Sequence, residues 1–130
     1  MIHHKEYLAV KTYTWDEVRR LRLAQNFLTI PAERTQLLQV VSRGCGIQAQ
    51  VLSATEIALG VRVNGIRRGD VEEALTGSHE LVKTYGPRGT LHLLPAGELP
   101  LWMAAMRARE ALLEKTWYQD AGWDAAQAVA

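Results

Sequence analysis

Three consecutive stretches decide the fold: Leu81-Val82-Lys83-Thr84-Tyr85, Gly86-Pro87-Arg88-Gly89 and Thr90-Leu91-His92-Leu93-Leu94. The outer two are rich in residues that suit a pleated surface, and a Gly/Pro loop joins them. They read as two antiparallel strands of a hairpin. Pro95 and Gly97 stop the second strand.

Helical patterns flank the hairpin. Thr14-Trp15-Asp16-Glu17 is a capping box, in which the Thr hydroxyl accepts a helix N–H and Glu17 reaches back to the Thr backbone. Val18, Leu21, Ala24 and Leu28 then recur at helical spacing, with Arg19, Arg20 and Arg22 largely off that stripe and Pro31 ending the element. A second helix is predicted over 32–43, its apolar face formed by Leu37, Leu38, Val40 and Val41, with Gly44 and Gly46 at its end. Ile47-Gln48-Ala49-Gln50-Val51-Leu52 alternates and reads as extended, which sets Gln48 and Gln50 together on one side. A second capping box, Ser53-Ala54-Thr55-Glu56, opens a third helix that Asn64-Gly65 stops. A short fourth helix starts at Asp70 and closes at Gly77. After the hairpin, a fifth helix is predicted over 98–118, with Trp102, Met103 and Met106 on its packing stripe.

This order predicts a mainly α protein with a small β-hairpin: a winged helix, meaning a helix-turn-helix with a β wing, followed by a long C-terminal helix. Residues 1–13 form a lead-in segment, 14–96 the winged-helix domain, and 97–130 the long helix and tail. The closing Ala125-Ala126-Gln127-Ala128-Val129-Ala130 carries no helix stop signal, which predicts a longer parent chain whose next domain begins here. The apolar stripe of the last helix also offers a surface for self-association.

Composition narrows the function. At 130 residues the chain makes one ordinary domain. Its 15 basic and 14 acidic residues give a net charge of +1, which excludes binding through a uniformly cationic surface but leaves room for a local basic groove. The single cysteine, Cys45, excludes an internal disulfide and any Cys-rich metal site, and points to a reducing, cytoplasmic compartment. His3, His4, His79 and His92 lack ligand spacing, and no phosphate-binding or dinucleotide-binding glycine motif occurs, so no metal and no cofactor is expected. The N-terminus has no signal-peptide core, and the longest apolar run, 101–106, is far short of the roughly 20 residues of a membrane helix.

Taken together, Thr14-Trp15-Asp16-Glu17-Val18, Gly46-Ile47-Gln48-Ala49-Gln50 before Ser53-Ala54-Thr55-Glu56-Ile57-Ala58-Leu59, and Arg88-Gly89-Thr90-Leu91-His92-Leu93-Leu94-Pro95 resemble the bacterial AlkZ/YcaQ family of winged-helix DNA glycosylases. The resemblance covers roughly residues 14–115 and only about the first third of the family architecture. It implies a DNA repair enzyme that removes alkylated purines and opens some interstrand crosslinks. The family's signature of Gln, an apolar residue, then Gln or Asp falls on Gln48-Ala49-Gln50, which implies that Gln48 and Gln50 are catalytic. The implied partner is double-stranded DNA carrying alkylated purines.

An amide pair suits that chemistry. An alkylated, cationic purine is already a good leaving group, so positioning water matters more than a strong acid or base. Lys83, Arg88 and His92 on the wing, and Arg43 beside the Gln segment, are the candidate DNA contacts; His92 has a core hydrogen bond as its alternative. Arg67-Arg68 reads as a solvated loop, and Trp15 and Tyr85 read as core residues with base stacking as the alternative. The rival function is a non-catalytic winged-helix transcription regulator or an inactive truncated fragment.

Overall fold

The computed structural model describes residues 11–120, and of Arg88 and residues 110–120 the backbone alone. Helix α1 (Trp15–Gln25) starts at the expected cap: the Thr14 N–H donates to Glu17 Oε2 at 2.8 Å, and the Glu17 N–H donates to Thr14 Oγ1 at 3.3 Å. The Thr14 backbone N–H, and after it the Thr14 hydroxyl, hold the Glu17 carboxyl below its ordinary range. The helix ends six residues before Pro31. Asn26 Nδ2 donates to the Arg22 carbonyl at 2.8 Å, and Phe27 turns into left-handed backbone with φ 56°. No α1 residue is buried, so the predicted apolar stripe is not a core face.

The second helix also starts later than its pattern suggested. A single 3₁₀ turn, Arg34–Gln36, leads into α2 (Leu37–Arg43). Ala32 is used elsewhere: it forms a parallel bridge with Val63, its N–H donating to the Arg62 carbonyl at 2.8 Å. After α2 the chain reverses sharply through Cys45 and Gly46, at φ 55° and 85°, into strand β1 (Ile47–Gln48).

Strands β2 (Leu81–Tyr85) and β3 (Leu91–Pro95) form the predicted hairpin, joined through a 3₁₀ turn, Pro87–Gly89. The sheet has a third member. Its order is β1-β3-β2, all antiparallel, with Gln48 opposite His92 and Thr84 opposite His92 from the other side.

Helix α3 (Leu52–Gly60) is capped by Val51 rather than Ser53, and the second capping box does not form. Its anchor is tertiary: the fully buried Thr55 hydroxyl donates to the Gln48 carbonyl at 2.9 Å. Helix α4 (Asp70–Glu72) runs on as a π turn, Glu73–Gly77. Asp70 accepts from the Arg67 N–H at 2.7 Å and pairs with Arg34 at 2.6 Å. A last 3₁₀ turn, Ala96–Glu98, leads into α5 (Leu99–Asp120).

The core lies where α2, α3 and α4 meet the sheet. Val40, Val41, Leu59, Val71, Leu81 and Leu93 are all essentially inaccessible there. Each such side chain contributes about 1.5–3 kcal/mol by leaving water. The protein is thus mainly helical with a small three-stranded antiparallel sheet. Among the described residues no helix is long and apolar enough to cross a membrane.

Candidate functional site

The Gln segment is held by its backbone. Between Gln48 and Gln50, Ala49 is fully buried and its N–H donates to the Leu91 carbonyl at 2.7 Å. Both glutamines are exposed. An inward residue between two outward ones places both amides on one surface, which is what the extended reading required. The Thr55 hydroxyl pins the Gln48 carbonyl from behind. Gly46 allows the approach: a Cβ there would lie 2.7 Å from Leu94 Cδ2 and 3.1 Å from the Leu93 carbonyl oxygen. Only glycine lets β1 close on β3 at this point.

Gln48 and Gln50 line the same recess, a concavity of about 560 Å³ shared with Asn26, Val51, Ala58 and Arg62. That size falls in the roughly 300–1,000 Å³ range of ligand pockets. Arg62 is the one ionisable residue among the described lining, and no carboxylate faces in. Two amides and a guanidinium can orient water and favour charge at fixed points. They supply no strong general base at neutral pH.

The structure separates the predicted DNA contacts. Arg43 is exposed at the end of α2, its guanidinium 5.7 Å from the Phe27 ring, next to the Gly44 that borders the recess. Lys83 is exposed on the edge strand β2, but it pairs with Leu93, in register with Ile47 rather than Gln48. Its side chain therefore belongs to the opposite face of the sheet from Gln48. The Arg88 side chain lies outside the described residues. His92 is only 5% exposed, and its Nδ1 donates to the Thr90 carbonyl at 2.7 Å. Its ring packs where a Cβ on Gly86 would be 2.9 Å away. His92 thus makes the core hydrogen bond that the sequence offered as its alternative, and it braces the hairpin turn.

Two aromatic expectations are also corrected. Trp15 is 87% exposed and Tyr85 64% exposed, so neither is a core residue. Three polar groups at the site escaped the sequence reading: Asn26, Arg62 and Thr55. Arg62 is half-buried, with Nη1 donating to the Ala58 carbonyl at 2.6 Å. Its place just past a helix end was the only local signal for it. Among the described residues no group of three His, Cys, Asp or Glu is placed to hold a metal ion.

Comparison with known proteins adds three findings. A family model described as DNA glycosylase AlkZ-like matches residues 41–130. The interstrand DNA cross-link repair glycosylase of Streptomyces sahachiroi is 32% identical over 109 residues, which is 84% of this chain and 29% of that protein. The solved structure of the Streptomyces sahachiroi DNA glycosylase AlkZ matches 90% of this chain with a TM-score of 0.72 at 30% identity, and 31% of that chain is covered. The chain thus spans under a third of the length of the relatives it matches.

Proposed function

The chain belongs to the AlkZ-like DNA glycosylase family, and from that premise we propose that it carries the reaction centre of a DNA repair glycosylase acting on cationic, N7- or N3-alkylated purines or on crosslinks. One observation carries this reading: Gln48 and Gln50 stand on either side of buried Ala49 and line one recess without a carboxylate. Enzymes that act on a base first take it out of the stack into a pocket, and the recess is the pocket of this reading.

In the reaction a water oxygen bonds to the sugar C1′ as the N-glycosidic bond breaks. The base leaves with the bonding electron pair, which cancels its positive charge, and the water proton passes to solvent. The amide oxygens of Gln48 and Gln50 accept hydrogen bonds from that water and turn their negative ends toward the electron-poor sugar. Such a site is selective. It works where the leaving group is already activated and fails on neutral bases, because nothing in it can protonate one. Arg43, at the border of the recess, contacts phosphate in this reading, whereas Lys83 lies on the far face of the sheet.

In this reading the domain is a winged helix with β2 and β3 as the wing, and the order α2, β1, α3, α4, β2, β3 supports it. What favours repair over transcriptional regulation is the charge of α4. The helix before the wing, where a regulator presents its reading surface, carries Asp70, Glu72 and Glu73 and no cation through Gly77. Carboxylates repel the phosphates that line a DNA groove.

The test is release of free base from duplex DNA containing N7-methylguanine. It uses both this chain and the longest chain that contains it. Gln48→Ala and Gln50→Ala are expected to cut single-turnover release by about 10²–10³, the usual cost of removing one preorganised dipole. Equal release by folded wild type and both variants would overturn the reading.

A further inference from the structure

The recess does not end at Gln50. It adjoins a second groove of about 500 Å³ along α1, and the two share Asn26 and Arg62 as lining residues. The second groove is lined by Arg19 and Arg22 from α1, and by Trp15. The joined concavity thus holds three arginines and, among its described lining residues, no carboxylate. The whole chain carries a net charge of only +1. Cation density this local, in a chain otherwise balanced, marks a surface for a polyanion.

We propose that this groove carries the phosphate backbone of the DNA strand whose base enters the Gln48–Gln50 recess. Arg62 is the cation at the junction, and Arg22 and Arg19 continue the track along α1. The inference rests on the glycosylase reading for the identity of the polyanion as DNA.

The anchoring differs along the track. Arg62 is the most firmly placed. Its backbone carbonyl accepts from Ala32, its backbone N–H donates to the Leu59 carbonyl, and one guanidinium nitrogen holds the Ala58 carbonyl. That leaves the rest of a five-donor guanidinium for phosphate oxygens. Arg19 pairs with Asp16, but both side chains are well exposed, and such a pair is worth little and yields readily to phosphate. Trp15, 87% exposed at the same groove, offers an aromatic face on which an unpaired base can stack. The track therefore runs on the α1 side of the Gln segment, whereas Lys83 sits on the sheet face opposite Gln48.

The experiment is a salt titration of binding to a fluorescein-labelled, undamaged duplex, read by anisotropy, with the longest chain that contains this segment. Arg22→Gln and Arg62→Gln are each expected to flatten the slope of log K against log[salt] by about 0.9, one phosphate contact apiece. The loss is the same for unrelated duplex sequences. Arg62→Lys restores the slope, and Arg68→Gln, in the exposed loop before α4, leaves it unchanged. If Arg62→Gln melts before it can be measured, Arg22→Gln on the exposed helix decides alone. A wild-type slope in Arg22→Gln and Arg62→Gln overturns the track, as does a slope lost in Lys83→Gln instead. The two readings fail separately. Base release retained in Gln48→Ala removes the catalytic reading and leaves the slopes standing, while unchanged slopes with release lost in Gln48→Ala remove only the track.

Discussion

Replacing Gly46 by alanine tests how the site is built. The residue has φ 85°, and a Cβ there would lie 2.7 Å from Leu94 Cδ2, 3.1 Å from the Leu93 carbonyl oxygen and 3.4 Å from His92 Cβ. Left-handed backbone costs a non-glycine residue about 1–2 kcal/mol. Relief of the contact costs about 1–3 kcal/mol more, the usual range for overpacking, because Leu94 is fully buried and the Leu93 carbonyl belongs to the central strand. The sum, roughly 2–5 kcal/mol, is a large share of the 5–15 kcal/mol that holds a typical domain together. The melting temperature of Gly46→Ala should fall by about 10 °C or more. The exchange of the Ala49 amide, bonded to the Leu91 carbonyl, should quicken as β1 is pushed from β3. Gly60→Ala is the control. Nothing lies within 4 Å of its Cβ position at the end of α3, so it should leave stability unchanged or raise it by up to about 1 kcal/mol. Equal melting curves for Gly46→Ala and wild type would falsify the close seating of β1 on which the Gln geometry depends.

Two further outcomes follow from local contacts. Thr55→Val keeps the shape of the side chain but loses the hydroxyl that donates to the Gln48 carbonyl at 2.9 Å; urea denaturation should show a loss of about 0.5–1.5 kcal/mol, the net worth of one hydrogen bond, with Thr55→Ser close to wild type. Glu17, whose carboxyl is held below its ordinary range by Thr14, stabilises the start of α1 above the unfolded glutamate value of about 4.3. That contribution disappears as pH falls through the lower folded value. Acid titration followed by circular dichroism should show helix lost over that range in wild type, and a smaller pH-dependent change in Glu17→Gln.

The features legible in the sequence were those whose cause is local. The hairpin at 81–95 needed only two strand-forming runs and a Gly/Pro loop, and the Thr14–Glu17 cap needed only residues three apart. The Gln48/Gln50 alternation was also legible, because a two-residue period sets the face without regard to what the strand pairs with. What failed was decided at a distance. Ser53 looked like a cap, but the Thr55 hydroxyl reaches back to Gln48, which depends on where β1 lies. Ala32 looked like the first residue of a helix until Val63 took it as a bridge partner. His92 and Lys83 alternate along neighbouring strands, and only the β1–β3 register tells which of them shares a face with Gln48. Arg62 was not legible because the recess it lines is formed by stretches far apart in the sequence, from Asn26 to Ala58.

The sheet order also bears on how the molecule assembles and opens. Strands β2 and β3 are neighbours in the chain and close over one short turn, whereas β1 lies on the far side of α3 and α4 from its partner. Closing that larger loop costs more chain entropy, and a two-residue strand returns little to offset it. The hairpin can therefore exist before β1 docks, and β1 can leave without unzipping the hairpin. Undocking of β1 would carry Gln48 away from the sheet, and the spacing of the two amides would be lost while most of the hydrophobic interior stays intact.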